Sequence, residues 1–297
     1  LDDMAMSISM LNALKDFHIW DNIEHLHVEE HALMDTYTCQ LAVNAVLPKC
    51  HRLRRLLVGL SIVWPNEGSE PASFEHLQFV RLYCEPKHLR RLRAPVLTSM
   101  QLCEWPRPNE INSSVFTSVD CSGFPALKKL TLRSNDPRWV YRSKLTQLVS
   151  LSIDTPVLRA AEGGSWGGIP SKEIFLPDVL LLVEEAVFET FSGELAFITA
   201  LESVPNARKV TIVPGISLSP TFGQELIPRL FAPEPLTLCP KAEYIQIGRY
   251  TLAIETPKDI IEDLVQELIN IRQQRGAPLK SFVIHWGRPH LKREYVE

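Results

Sequence analysis

Phe124-Pro125-Ala126-Leu127-Lys128-Lys129-Leu130-Thr131-Leu132 is the stretch on which the reading of this 297-residue chain turns. Its apolar residues follow the spacing L-x-x-L-x-L. In an extended segment Leu130 and Leu132 point to one face, and Lys129, Thr131 and Arg133 point to the other. Pro125 cannot donate to a ladder and biases its predecessor toward extended geometry, so it suits a loop that feeds a short strand. Val204-Pro205-Asn206-Ala207-Arg208-Lys209-Val210-Thr211-Ile212 and Cys239-Pro240-Lys241-Ala242-Glu243-Tyr244-Ile245-Gln246-Ile247 repeat both features at the same spacing.

Working outward, the template recurs at Ile23-Leu26-Val28, Leu53-Leu56-Val58, Leu77-Val80-Leu82, Leu97-Met100-Leu102, Leu148-Leu151-Ile153 and Leu279-Phe282-Ile284. A degenerate copy reads Val179-Leu182 with Glu184 in its third slot. Pro48, Pro95, Pro177 and Pro278 stand before further copies, and the mean step between copies is about 28 residues. Helix-compatible segments lie between the strands. The strongest is Lys258 to Arg275, with Ile260, Ile261, Leu264, Val265, Leu268, Ile269 and Ile271 at helical spacing and Gly276 as its stop. Weaker ones are Thr38 to Leu47, Tyr141 to Leu148 and Glu194 to Leu201.

Strand and helix in alternation predict an α/β chain with a parallel sheet, and a repeat of this length stacks into a curved solenoid. The sheet is expected on the concave face, with helices and loops on the convex one. A single domain over 1–297 holds about ten irregular repeats, with 1–30 as an N-terminal cap or first repeat and 160–171 as a Gly-rich inserted loop. Leu14-Phe17-Ile19 also fits the template, and Asp21-Asn22 would turn it back antiparallel on Ile23 to Val28 as an end cap.

Composition narrows the function classes. Hydrophobic residues make up 45% and charged residues 22%, enough for an extensive core. A net charge of −4 argues against a partner held by bulk positive charge, so no nucleic acid is expected. No apolar run reaches the length of a membrane span, so no membrane partner is expected either. Six Cys without a C-x-x-C pair read as free thiols of a reducing compartment, cytoplasmic or nuclear.

Motifs for chemistry are sparse. Gly163-Gly164-Ser165-Trp166-Gly167 matches a nucleophile elbow but lacks the preceding hydrophobic strand, and no phosphate loop, dinucleotide fingerprint or zincin helix occurs. No catalytic residue, metal or cofactor is therefore expected, and the chain is read as a non-enzyme. His25, His27 and His31 with Glu29 and Glu30 are the best metal candidate, weighed against a solvated strand edge. Basic runs from Lys49 to Arg55 and from Lys87 to Arg93 read as a solvated face.

The template itself places the binding candidates. Residues between its apolar positions face the concave surface, and aromatic and Arg residues there are the types enriched at interface hot spots. The partner-binding candidates are Phe79, Arg81, Tyr83, Gln101, Lys129, Arg133, Asp154, Tyr244, Gln246 and His285.

Leu53-Arg54-Arg55-Leu56-Leu57-Val58, the 124–132 stretch and Ala277-Pro278-Leu279-Lys280-Ser281-Phe282-Val283-Ile284 resemble the C-terminal region of fungal F-box and leucine-rich-repeat proteins. The resemblance implies an irregular leucine-rich-repeat solenoid that holds a protein substrate on its concave face. In that family an F-box docks on the adaptor of a cullin ubiquitin ligase. No F-box motif is read in this sequence, so the ligase adaptor is expected as a partner only if an F-box lies upstream. The alternative is a stand-alone structural or regulatory leucine-rich-repeat binding protein without a ligase role.

Overall fold

A computed structural model describes residues 3–29, 36–61, 72–84, 86–103, 121–134, 145, 147–154, 180–189, 194–213, 226–232, 238–250, 266, 269–286 and 291–296. They belong to two compact units, Leu1–Leu148 and Val149–Glu297. The fold is α/β, dominated by parallel strands. No helix among the described residues is long and apolar enough to cross a membrane.

In the first unit the strands are β1 (Asp3–Ser7), β2 (His25–Glu29), β3 (Arg55–Ser61), β4 (Ala72–Ser73), β5 (Phe79–Tyr83), β6 (Leu92–Arg93), β7 (Ser99–Cys103) and β8 (Lys129–Arg133). The main sheet runs β1-β2-β3-β5-β7-β8 with every pair parallel, and β4 and β6 form a small second ladder. Helices α1 (Ile8–Leu14) and α2 (Thr36–Val46) follow β1 and β2. Ser7 caps α1 by accepting from the Met10 N–H, and Lys49 Nζ donates to the Lys15 carbonyl at the helix's far end.

Four copies of the first unit use one local grammar. The N–H of the first template residue closes a turn on the carbonyl three residues earlier: Ile23 on Trp20, Leu53 on Cys50, Leu97 on Ala94, Leu127 on Phe124. The accepting residue is buried in each case and so adds a fourth apolar position to the template. Pro95 and Pro125 occupy the second position of these turns, which the fixed φ of proline favours. One carbonyl then serves two donors of the next copy. Glu24 O accepts from Arg54 and Arg55, Arg54 O from Gln78 and Phe79, Gln78 O from Thr98 and Ser99, and Thr98 O from Lys128 and Lys129. This shared acceptor locks successive copies in register, with Leu56 beside Val80, Val80 beside Met100 and Met100 beside Leu130.

The second unit repeats the grammar with β9 (Ser150–Asp154), β10 (Glu185–Glu189), β11 (Lys209–Val213), β12 (Tyr244–Tyr250), β13 (Ser281–Trp286) and β14 (Leu291–Val296). Helices α3 (Glu194–Glu202) and α4 (Leu226–Phe231) follow β10 and β11. Turns close from Val183 on Leu180, Ala207 on Val204 and Ala242 on Cys239, and the shared acceptors are Val149, Glu184, Arg208 and Glu243. β9 to β13 are parallel, whereas β14 returns antiparallel on β13.

Three expectations change on contact with the structure. The degenerate copy is four residues downstream of Val179: Val183, Ala186 and Phe188 are fully buried and fill every slot, while Leu182 is 52% exposed. The antiparallel cap expected at Leu14 to Val28 is absent, because 8–14 is helical and β1 pairs parallel with β2. The antiparallel strand is β14 instead. Residues 145, 147 and 148 form the turn before β9 rather than the end of a helix.

Gly276 ends a helical turn over 269–274, as its position in the sequence indicates. With φ of +74° it donates to Gln273 O while Ala277 donates to Arg272 O, the paired closure of a left-handed helix stop. Most of Lys258 to Arg275, the 160–171 loop, Ser165, His31 and Glu30 lie outside the described residues.

Gly123 marks a close approach in the first unit. Ala94 N–H donates to its carbonyl at 2.9 Å, and a Cβ at this position would collide with the Leu92 carbonyl oxygen. Gly123→Ala is expected to cost about 1–3 kcal/mol, because the obstacle is backbone. A Cβ at Gly59 would meet Val28 O at 3.5 Å, an ordinary contact, so Gly59→Ala should stay within about 1 kcal/mol of wild type. Urea unfolding of the two variants measures the difference.

Candidate interaction face

The face of each main sheet opposite the core is built by period-two alternation. On β5, Val80 and Leu82 are buried while Arg81 is exposed and Phe79 and Tyr83 half-buried. On β7, Met100 and Leu102 point inward and Ser99, Gln101 and Cys103 outward. β8 turns Leu130 and Leu132 inward, and Lys129 and Arg133 are exposed. The registers bring these residues into rows: Arg55, Phe79, Ser99 and Lys129; then Arg81, Gln101 and Thr131; then Tyr83, Cys103 and Arg133. Six of the sequence candidates, Phe79, Arg81, Tyr83, Gln101, Lys129 and Arg133, thus share one field in the first unit.

Arg55 joins them. Its guanidinium lies 4.9 Å from the centroid of the Phe79 ring, a stacked arrangement that orders both side chains. The L-x-x-L-x-L copy at Leu53 places Arg55 outward by the same rule that selects Phe79, so the signal was present in the sequence. Arg81 and Lys129 have no ion-pair partner among the described residues. Elsewhere in this unit Arg54 pairs with Glu24 at 3.3 Å, and His27 Nε2 lies 3.2 Å from Glu29 Oε1. The field of Arg54 is therefore partly neutralised, and that of Arg81 is not.

The second unit presents a different chemistry. Asp154, Tyr244 and Gln246 face outward as expected, with Tyr244 42% exposed. The corrected register of β10 adds Glu185, Val187 and Glu189, which a misplaced copy had hidden. Glu185 accepts from Ser150 Oγ at 3.3 Å and from Lys209 Nζ at 2.7 Å, so one carboxylate links three strands. Glu189 stands beside Asp154 in register. Burial, and then repulsion from Asp154, raise its pKa above the usual carboxylate value. Lys280 lies 5.8 Å from the Tyr244 ring centroid and donates to Glu243, whose pKa that hydrogen bond lowers. Val283, an outward position by the template at Leu279-Phe282-Ile284, is buried instead. His285 is on β13 opposite Lys292, and its side chain lies outside the described residues.

Buried thiols complete the inventory. Cys50 and Cys239 are each pushed up to about 12 by burial, Cys50 also by Asp21, while Arg272 pulls Cys239 the other way. Such thiols stay protonated and are poor nucleophiles. The outward face offers exposed cations and half-buried aromatics in the first unit, and carboxylates, hydroxyls and the exposed Tyr244 in the second. Comparison of the chain with family models, curated proteins and solved structures finds no match.

Proposed function

We propose that this chain is a non-enzymatic protein-interaction module, an irregular leucine-rich-repeat solenoid serving as the substrate-recognition region of an F-box-type ubiquitin ligase receptor. The observation that carries the interaction reading is the outward field of Phe79, Arg81 and Tyr83 on β5, flanked in register by β3 and β7. Aromatic and Arg side chains on a rigid sheet lose little conformational entropy on binding, which is why such residues dominate interface energies. The ligase part rests on the resemblance of the repeat sequence.

The test is affinity capture with the full-length gene product, comparing wild type with a Phe79→Ala, Arg81→Ala, Tyr83→Ala triple variant. The expected result is cullin and adaptor with both forms, and at least a tenfold loss of the substrate from the variant. Absence of adaptor and cullin from both forms removes the ligase role and leaves a stand-alone binding protein. Undiminished recovery of every captured protein by the variant removes the β5 face.

A further inference from the structure

The geometry points to β1 as the interface of a two-fold dimer, in which the edges of two copies of this chain pair antiparallel about Ala5. β1 ends the main sheet and pairs with β2 alone among the described strands. Which of its backbone groups are left over follows from the shared acceptors. Arg55, Phe79, Ser99 and Lys129 each turn their N–H to the preceding strand of the sheet, by donating to Glu24 O, Arg54 O, Gln78 O and Thr98 O. Asp3 holds the matching position on β1, since it aligns with His25 and His25 aligns with Arg55. Backbone groups alternate sides along a parallel strand, so Met4 and Met6 face β2 while Asp3, Ala5 and Ser7 aim their N–H groups at the open edge.

Native sheets guard such edges with Lys, Pro, clustered charges or bulges. β14, the outermost strand of the second unit's sheet, carries Lys292, Arg293 and Glu294 in succession. β1 has no Lys, Arg or Pro, and its register with β2 runs without a bulge. No charged residue occurs from Met4 to Leu14, and Met10 on α1 and Phe17 just beyond it are exposed. A stacked array needs a polar outer face at its end to stay apart from its neighbours. This end is uncharged and partly apolar instead. A second copy fits it because the edge is self-complementary. With Ala5 opposite Ala5 of the second copy, Asp3 stands opposite Ser7, so the single charge of the strand never meets itself, and the residues that face the edge become the hydrogen-bonded pairs of an antiparallel ladder. Ala5 is small and exposed on the axis, and one patch meeting itself across a two-fold is the commonest form of dimer.

Sedimentation velocity of the 297-residue chain should show a species of twice 33.7 kDa that grows with concentration. Ala5→Pro removes the central edge N–H and no bond to β2, so its circular dichroism and urea midpoint should match wild type while the dimer is lost. A charge pair reads the interface without touching the backbone. Ala5→Lys and Ala5→Glu each set like charges across the axis and should each weaken dimerisation about fivefold, whereas a mixture of the two should form a dimer about tenfold tighter than either variant alone. That recovery should fade as salt rises. A wild-type chain that stays monomeric up to its solubility limit overturns the inference. So does a dimer that survives Ala5→Pro, or a mixture no tighter than its separate components. If the full-length gene product is monomeric while the 297-residue chain dimerises, another segment of the same polypeptide covers β1 and the second copy is excluded.

Discussion

Phe188→Ala will destabilise the second unit by about 3–5 kcal/mol, whereas Leu182→Ala will change its stability by less than about 0.5 kcal/mol. Phe188 is fully buried on β10, in register with Ile153 on β9 and Ile212 on β11. Its removal leaves a ring-sized void between two strands whose backbones are held by shared carbonyl acceptors and cannot collapse inward. Leu182 sits in the turn between Leu180 and Val183 with half its surface in water. The sequence reading with Val179, Leu182 and Glu184 as template positions instead makes Leu182 a core residue, whose truncation then costs about 2–5 kcal/mol. Urea unfolding of the two variants, followed by far-ultraviolet circular dichroism, decides between the registers.

Arg272→Ala will cost the second unit at least about 3 kcal/mol, and Arg272→Lys will recover only part of it. Arg272 is 3% exposed, and no carboxylate pairs with it among the described residues. Its guanidinium donates instead to backbone carbonyls: Nε to Ala277, Nη1 to Leu230, and Nη2 to Cys239, Pro240 and Ala242. One side chain thereby ties its own helix stop to α4 and to the turn that launches β12. Burial lowers its pKa, and the carbonyl dipoles are what keep the charge tolerable. Alanine withdraws the guanidinium donors from those carbonyls in a water-poor interior, although Cys239 O keeps the Ala242 N–H. Lysine keeps the charge, but a compact ammonium cannot span acceptors that a planar fork reaches together. Midpoints and slopes from urea unfolding of wild type, R272A and R272K give the ranking.

Arg272 also shows where sequence reading stops. It follows Leu268 by four residues and Ile269 by three, so a charged residue stands on the apolar stripe of a helix. That anomaly was visible in the sequence. Its meaning was not, because four of the five acceptors come from backbone 30 to 42 residues away. The copy at Val183 was hidden for a related reason. Leu180, Leu181, Leu182 and Val183 are consecutive apolar residues, and any of them fills a template slot. Only the pairing of β10 with β9 and β11 says which one begins the strand.

Local chemistry by itself determined the repeating strand of this protein, the alternation that buries Leu130 and Leu132 while exposing Lys129 and Arg133, and the turn prolines and the Gly276 stop. Those features depend on residues within a few positions of one another, and steric and period-two rules act at that range. Tertiary structure alone decided the register of β10, the parallel placement of β1, the antiparallel return of β14, the stacking of Arg55 on Phe79 and the carbonyl cage of Arg272. Each of these is a choice among partners distant in sequence. It is settled by which carbonyl meets which N–H once the copies stack, a competition in which every copy carries nearly the same apolar pattern.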